Sequence, residues 1–267
     1  MSRDLIIGID AGTSVIKSVA FTTGGEQIAM ASVPNLYSSV GGGGVEQDMR
    51  RTWAETAATL RRLGEQVPGI AGRLAAIAVT GQGDGNWLID ENGEPVAPAW
   101  LWLDSRAAGI AEDVVASSGY PRHYATTGTG VNCCQQGAQL AWYKANRPDI
   151  VGRATTAFHC KDWIYFRLTG VRATDPSEGL FTFGSYQTRQ YDPGILQHLG
   201  IPELRRLLPP MVDGVTTHHA LTPEAAAEAG LEPGTPVVLG YVDVLCTGLG
   251  GGLYDMSGEV GCSIIGS

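Results

Sequence analysis

The chain is predicted to be an α/β protein, and three stretches of sequence support that class. An apolar run at residues 5–9 and an alternating run at 15–21 flank a turn of small residues, which is typical of two strands joined by a tight turn. Helical spacing of apolar residues up to position 63 precedes a short apolar run at 74–79, which indicates a strand–helix–strand crossover. A last strand-to-helix segment begins at residue 236.

The turn after the first strand has the composition of a phosphate-binding site. Asp10 ends the strand, and Gly12, Thr13 and Ser14 follow within the turn. Free backbone N–H groups and hydroxyls in one turn can bind phosphate oxygens, and the adjacent carboxylate can hold Mg²⁺ directly or through water. A plain hairpin explains the same residues equally well.

Composition excludes several classes of function. The chain is 43% hydrophobic and only 17% charged, so we expect a globular protein with a sizeable core. Its net charge of -9 argues against non-specific nucleic-acid binding and against binding to an anionic membrane surface. The five cysteines show no C-x-x-C spacing, and neither a signal peptide nor an apolar 18-mer is visible, so the cytoplasm is the expected location.

The segment between the opening hairpin and the crossover contains three further elements. We expect an antiparallel third strand at residues 26–32 and a loop at 37–45, where four consecutive glycines stand. Glu46 and Asp48 then open a helix that reaches about Leu63.

The loop after the strand at 74–79 is a candidate ligand site. Gln82 and Asp84 alternate with three glycines there, and the carboxyl end of a parallel strand is where α/β proteins bind ligands. Both side chains can hydrogen-bond hydroxyl groups, although a plain turn is an equal alternative. Trp102, which follows, is either a core residue or a platform for a sugar. Ser105 is expected to cap a helix that runs to Ser117.

The middle of the chain carries further helix signals. Residues 135–146 and 163–168 are predicted helices, and the second begins after Lys161 and Asp162, which we interpret as an ion pair or a cap. His159 is interpreted as a structural histidine. Thr222 is expected to cap a short helix that Gly230 ends.

Asp243 repeats the arrangement of Asp10, because it follows a strand and lies beside glycines. A carboxylate there can accept the proton of a substrate hydroxyl as that hydroxyl attacks phosphorus. The helix predicted at 244–252 would favour the ionised form. Residues 258–267 are predicted to begin a further strand and a turn.

Taken together in chain order, these segments resemble the amino-terminal domain of the FGGY carbohydrate kinases. The resemblance spans nearly the whole chain, and its motifs are the segments at 8–14 with Lys17, 80–82, 102–106, 161–162, 167–170, 173–175 with Ser177, and 232–236 leading to Asp243.

The resemblance implies a ribonuclease-H-like core of the actin/hexokinase/Hsp70-like superfamily, with a mixed five-stranded sheet flanked by helices. It also implies ATP-dependent phosphorylation of a sugar or polyol hydroxyl with Mg²⁺. The implied roles are catalytic base for Asp243, metal binding for Asp10, phosphate binding for Gly12, Thr13, Ser14 and Lys17, and substrate binding for Gln82, Asp84, Trp102 and Asp243.

The residues at 83–84 distinguish this chain within the family. Gly83 and Asp84 stand where xylulose kinases typically carry Met-His and glycerol kinases Arg-Glu. A carboxylate at that position suits a small polyol with adjacent hydroxyls, and the run resembles erythritol or L-xylulose-type kinases. Val244 stands where the family usually has Asn or Gln after the catalytic Asp.

Family members carry a second domain that supplies the adenosine pocket. We therefore expect residues 1–254 to form the amino-terminal domain and 255–267 to begin the missing partner domain. Because phosphoryl transfer needs a closed cleft, we expect this chain alone to bind sugar weakly and to have little kinase activity. A non-catalytic sugar-binding or sensing module is the alternative function, and a homodimer is a further hypothesis.

Overall fold

A six-stranded mixed sheet forms the centre of the fold in the computed structural model, which describes residues 3–263. The strands in this part of the chain are β1 (Leu5–Ala11), β2 (Val15–Thr22), β3 (Gln27–Pro34), β4 (Ser38–Val40), β5 (Gly44–Gln47), β6 (Leu74–Gly81), β7 (Trp87–Ile89), β8 (Ala99–Trp100), β9 (Thr156–Phe158), β10 (Gly184–Ser185), β11 (Gln190–Tyr191), β12 (His219–Ala220) and β13 (Pro236–Leu239).

Helices pack against this sheet and form most of the rest of the fold. They are α1 (Met49–Gln66), α2 (Ile70–Arg73), α3 (Ala108–Ala116), α4 (Tyr120–Thr127), α5 (Gln136–Asn146), α6 (Pro148–Arg153), α7 (Cys160–Thr169), α8 (Pro176–Phe183), α9 (Pro193–His198), α10 (Pro223–Ala229) and α11 (Asp243–Gly250), with 3₁₀ turns at Gly41–Gly43 and Pro202–Leu207. None of the helices within residues 3–263 is both long and apolar enough to cross a membrane.

The strand order of the central sheet is β12-β13-β6-β1-β2-β3. β1, β2 and β3 are antiparallel neighbours, whereas β1, β6 and β13 run parallel. The sheet has one strand more than the five expected, because the two-residue β12 pairs antiparallel with β13. A strand of two residues has too little sequence pattern to be predicted.

One core lies between the sheet and α1, α7 and α10. Leu5, Ile7 and Ile9 are fully buried on alternate positions of β1 and share this core with Trp53 and Leu60 of α1. The predicted helix start is confirmed at Asp48, whose carboxylate accepts N–H groups of the first turn, but it is wrong at Glu46, which lies in β5. A second hydrophobic cluster joins α5, α8 and α9 and supports the side of the molecule that carries α8.

The predicted loop at 37–45 is wrong in part, because residues 38–47 form the hairpin β4–β5, and β5 also pairs with β8. Gly42 and Gly43 have positive φ angles of 72° and 81° and make its turn. A Cβ atom at Gly43 would overlap Ser105 Oγ. Tertiary packing therefore orders a segment whose sequence favours a loop.

Several local predictions can be compared with the structure directly. The helix ends at Gly170 and Thr222 are confirmed, with Gly170 in the left-handed conformation and the Thr222 hydroxyl accepting a backbone N–H. The predicted cap at Ser105 is wrong: α3 begins at Ala108, and Ser105 Oγ instead donates to the Gly43 carbonyl. Residues 258–263 form no strand, and the turn predicted at 266–267 lies outside the described residues.

Candidate active site

The ends of three parallel strands bring the two predicted catalytic carboxylates to one edge of the sheet. Asp10 lies in β1 and pairs in register with Thr80 of β6, whose hydroxyl donates to the Tyr241 carbonyl at 2.6 Å. Asp243 begins α11 two residues later. Burial raises the pKa of Asp243, the Val244 N–H opposes this, and the negative charge of Asp10 adds to the rise.

A pocket of about 600 Å³ opens at this edge. Four of the predicted site residues line it, namely Thr13, Asp84, Trp102 and Asp243. Glu178 and Phe181 of α8 complete the wall that faces them. The structure thus places side chains from five separate segments of the sequence around one cavity of the size of a small ligand.

Asp10 faces a smaller hollow of about 240 Å³, beside Thr80, Gly240 and Cys246, rather than the main pocket. Its Oδ2 lies 3.6 Å from Lys17 Nζ, on the neighbouring strand. Its Oδ1 is buried and has no hydrogen-bond partner among residues 3–263. Burial raises the pKa of Asp10, and Lys17 opposes that rise.

The turn beside Asp10 is a tight connection between the antiparallel strands β1 and β2, as predicted. A Cβ atom at Gly12 would lie 3.0 Å from the Val15 carbonyl oxygen and 3.6 Å from Asp10 Oδ1, so the turn passes close to the carboxylate. Asn35 Nδ2 donates to the Gly12 carbonyl at 2.7 Å and holds the turn in place. Ser14 is exposed, and its side chain is therefore accessible to a ligand.

Gln82 lies behind the pocket instead of lining it. Its side chain is buried, accepts a hydrogen bond from Thr13 Oγ1 at 3.2 Å and donates to Gln47 Oε1 at 3.0 Å. Thr13 in turn accepts from Trp102 Nε1 at 2.8 Å. Gln82 is therefore linked to Trp102 through Thr13, and its predicted contact with substrate stays a prediction.

Asp84 has an unusual backbone conformation. Its φ angle is +54° and that of Gly85 is +79°, and a Cβ atom at Gly85 would overlap the Trp100 carbonyl oxygen. Cys134 Sγ donates to Asp84 Oδ2 at 3.3 Å, whereas Oδ1 is buried and without a partner within residues 3–263. Burial raises the pKa of Asp84, although Cys134 and His159 oppose the rise. Left-handed conformations of non-glycine residues often occur at functional sites.

Glu178 was not among the predicted site residues. It lies in the first turn of α8, after the cap Asp175, and its side chain is buried. Oε2 lies 3.5 Å from His159 Nε2, and Oε1 has no hydrogen-bond partner in the described part of the chain. Burial raises the pKa of Glu178 to about 7, with His159 and Lys161 opposing the rise.

A buried row of charges leads to Glu178 from the start of α7. Lys161 lies between Asp162 and Asp175, at 2.7 and 2.5 Å. Asp162 Oδ2 accepts from the His159 backbone N–H at 3.1 Å and lies 3.2 Å from its Nδ1. The predicted ion pair and cap at residues 161–162 are therefore confirmed, and His159 links them to Glu178.

The start of α8 also contacts the residue before Asp243. Ser177 Oγ, one residue before Glu178, accepts the Val242 N–H at 2.9 Å. A Cβ atom at Gly83 would lie 2.5 Å from Val242 Cγ2 and 3.1 Å from Glu178 Oε1. The start of α8, the loop at 83–85 and the start of α11 are thus packed directly against one another.

Comparisons with known proteins identify the family of this chain. A family model described as the N-terminal domain of the FGGY family of carbohydrate kinases matches residues 5–250. The erythritol kinase of Brucella abortus (strain 2308) is 52% identical over 99% of this chain and 51% of its own length. The L-xylulose/3-keto-L-gulonate kinase of Escherichia coli (strain K12) is 30% identical over 93% of this chain and 50% of its own length.

Solved structures show the same fold. The xylulose kinase of Rhodospirillum rubrum superposes with a TM-score of 0.88 at 27% identity, over 94% of this chain and 52% of that one. The Plasmodium falciparum glycerol kinase with ADP, at 18% identity, has a TM-score of 0.84 over 95% of this chain and 51% of that one. The chain spans about half the length of the curated relatives that it matches. It belongs to the FGGY family of carbohydrate kinases and corresponds to the N-terminal domain of that family.

Proposed function

We propose that this chain is the sugar-binding half of an ATP-dependent kinase that phosphorylates a hydroxyl of a small polyol or sugar, similar to erythritol or xylulose. The observation that carries the proposal is the position of Asp243. Its carboxylate lies at a helix N-terminus, at the edge of the sheet that also carries Asp10, and it faces a pocket that Asp84 and Trp102 line.

In this proposal Asp243 is the general base. It accepts the proton of the substrate hydroxyl while that oxygen forms a bond to the γ-phosphorus of ATP and the bond to the departing ADP oxygen breaks. Its raised pKa makes it a stronger proton acceptor than a solvated aspartate, and the Val244 N–H at 2.7 Å keeps it oriented.

The turn at 12–17 and Asp10 form the nucleotide side of the proposed site. Mg²⁺ is usually held by one or two carboxylates together with phosphates and waters, and residues 3–263 contain no group of three His, Cys, Asp or Glu side chains that could form a protein-only metal site. The free Oδ1 of Asp10 fits that mode of binding. When bound, Mg²⁺ neutralises charge on the transferred phosphoryl group. Gly12, Thr13 and Ser14 would offer N–H and hydroxyl groups to the phosphates, and Lys17 a positive charge.

The pocket forms the sugar side. Asp84 would accept hydrogen bonds from substrate hydroxyls with its free oxygen, and Trp102 would pack its indole against substrate carbon. Gln82 acts by holding Thr13, which in turn holds Trp102.

The rest of the catalytic cleft is assigned to a second domain. We assign residues 1–254 to the sugar-binding domain and 255–267 to the start of the next one, because the family model ends at residue 250 and the relatives are about twice as long. That domain would supply the adenosine pocket, and an ATP-dependent kinase of this kind would act in the cytoplasm. Homodimerisation stays a hypothesis.

A fusion protein tests the proposal. This chain is joined to the second half of the Brucella abortus erythritol kinase, and ATP consumption is measured with erythritol and xylulose. We expect Asp243→Asn to lower kcat about 10²–10⁴-fold. The isolated chain with the same substitution should still bind erythritol within a few-fold of wild type in titration calorimetry.

The control for this experiment is Asp113→Asn, which removes an exposed carboxylate of α3. It should leave turnover and binding unchanged. Full turnover by the Asp243→Asn fusion would contradict the proposal. Binding of polyol without turnover in the wild-type fusion would instead support the alternative of a non-catalytic sugar-binding module.

A further inference from the structure

Glu178 has the features of a ligand-binding group that the proposed mechanism does not use. Its side chain is almost completely buried, yet it forms part of the wall of the main pocket. Within the described range 3–263, one of its oxygens lacks any hydrogen-bond partner. Burying an unpaired carboxylate oxygen is costly, so such a group usually has a partner that is absent from the protein itself.

A row of charged residues lies behind Glu178. His159 Nε2 lies 3.5 Å from Oε2, and the other ring nitrogen of His159 lies 3.2 Å from Asp162 Oδ2. Asp162 itself forms an ion pair with Lys161 at 2.7 Å. This row of charges lies behind Glu178, whose side chain lines the pocket beside Gly83.

Asp84 is the natural counterpart of Glu178. Each carboxylate lines the pocket and has one buried oxygen without a partner in the part of the chain that the structure describes. The other oxygen of Asp84 accepts from Cys134 Sγ, and that of Glu178 lies 3.5 Å from His159 Nε2. The two groups are close enough for the charge of Asp84 to raise the pKa of Glu178. Two carboxylates on one pocket repel each other unless donors lie between them.

We propose that Glu178 is a specificity-determining residue, whose free oxygen accepts a hydrogen bond from a second hydroxyl of the same ligand that Asp84 binds. The site would then select small open-chain polyols or ketoses with several neighbouring hydroxyls over ligands that lack one of them. This inference rests on the proposed function and adds to it the feature of the ligand that the pocket recognises.

The charges around Glu178 predict that the affinity for a polyol depends on pH. The groups that face it are His159 and Lys161 from the start of α7, Asp84 from the loop after β6, and Asp175 at the start of α8. Because the pKa of Glu178 is about 7, ionisation near neutral pH turns it into the stronger acceptor. Affinity for a polyol is expected to rise between about pH 6 and about pH 8.

The inference is tested by combining removal of single hydroxyls from the ligand with substitution of Glu178. Titration calorimetry measures the binding of erythritol, butane-1,2,4-triol and butane-1,2,3-triol to the wild-type chain and to Glu178→Gln. We expect Glu178→Gln to weaken erythritol binding about 10-fold or more, as for the loss of a hydrogen bond to a charged group. For one of the two triols the substitution should have little further effect, since the hydroxyl that Glu178 contacts is already missing.

The controls separate this inference from the proposed function. Glu112→Gln removes an exposed carboxylate of α3 and should leave all three affinities unchanged. Equal weakening of all three ligands by Glu178→Gln, or a rise of affinity with pH as large in that variant as in wild type, would overturn the inference while leaving the proposed function intact. Failure of the wild-type chain to bind any of the ligands would overturn both.

Discussion

Two clusters of charged residues differ in whether every buried carboxylate oxygen has a partner within residues 3–263. The paired cluster consists of Asp104, Arg106 and Glu46. Asp104 accepts from three Arg106 N–H groups and from the Val45 N–H, and Arg106 also reaches Glu46 at 2.9 Å. The guanidinium lies 3.4 Å above the centre of the Trp100 ring.

The open cluster consists of Lys161, Asp162, His159 and Glu178. It begins with an equally close ion pair, but it ends at a buried carboxylate oxygen that has no partner in residues 3–263, on a side chain that lines a cavity. Removing one partner of a buried ion pair is strongly destabilising because the other charge is left uncompensated, and a buried charge that is already unpaired costs stability. The comparison indicates that the paired cluster maintains the fold, whereas the open cluster costs stability, as the proposed binding role of Glu178 requires.

The largest expected effect is on the paired cluster. Asp104→Asn removes the buried counter-charge of Arg106, so we expect the free energy of unfolding to fall by about 3–5 kcal/mol. Urea unfolding monitored by fluorescence measures this. Asp113→Asn, on the exposed side of α3, is the control and should change stability by less than about 0.5 kcal/mol. A similarly small change for Asp104→Asn would remove the distinction between the clusters.

Removing the charge of Glu178 in the open cluster should have the opposite effect, namely a rise in the free energy of unfolding. The pKa of Glu178 is raised from 4.5 to about 7, so its ionisation disfavours the folded state, and stability is lost as pH rises from about 4.5 to about 7. Glu178→Gln removes that cost, and we expect it to stabilise the chain by up to about 3 kcal/mol near pH 8 and by little near pH 4.5.

Thermal unfolding at the two pH values measures this difference. The melting temperature of Glu178→Gln should exceed that of wild type near pH 8. A lower melting temperature near pH 8 would mean that Glu178 stabilises the fold, as Asp104 does, and would contradict the assignment of the open cluster to binding.

The smallest effect is expected at the rim of the pocket. Trp102→Phe keeps an aromatic face but loses the indole N–H that donates to Thr13 Oγ1. Because Trp102 is 44% exposed, we expect little change in stability and a loss of about 1 kcal/mol in polyol binding.

A double-mutant cycle checks this contact. Thr13→Val should cause a similar loss, and the double variant should lose little more than either single variant. Additive losses would show that Trp102 acts on the ligand independently of Thr13 and of Gln82 behind it.

Sequence patterns predicted the parts of the fold that depend on local physics. The strand–turn–strand at β1 and β2, the cap at Asp48 and the stop at Gly170 all follow from alternation, capping and left-handed glycine. The hairpin β4–β5 was not predicted, because its order depends on the distant pairing of β5 with β8.

The candidate site was predictable only in part, because part of it also depends on contacts between residues that are distant in the sequence. Asp10 lies at the end of an apolar strand run and Asp243 follows one, and a carboxylate in that position is visible in the sequence. Glu178 carries no such signal, since a glutamate in the first turn of a helix is favoured by the helix dipole alone. Its proximity to His159 and Asp84 arises from tertiary packing. The burial of Gln82 behind Thr13 could not be predicted either, because it also arises from tertiary packing.

The ionisation of Glu178 is the most direct test of this account. Carbon-13 NMR of labelled glutamate carboxyl groups, with the signal identified by its loss in Glu178→Gln, gives its pKa with and without saturating erythritol. We predict a pKa near 7 in the free chain, and a fall when erythritol binds, because the ligand's hydroxyl stabilises the ionised form. A pKa near 4.5 that erythritol leaves unchanged would contradict the account.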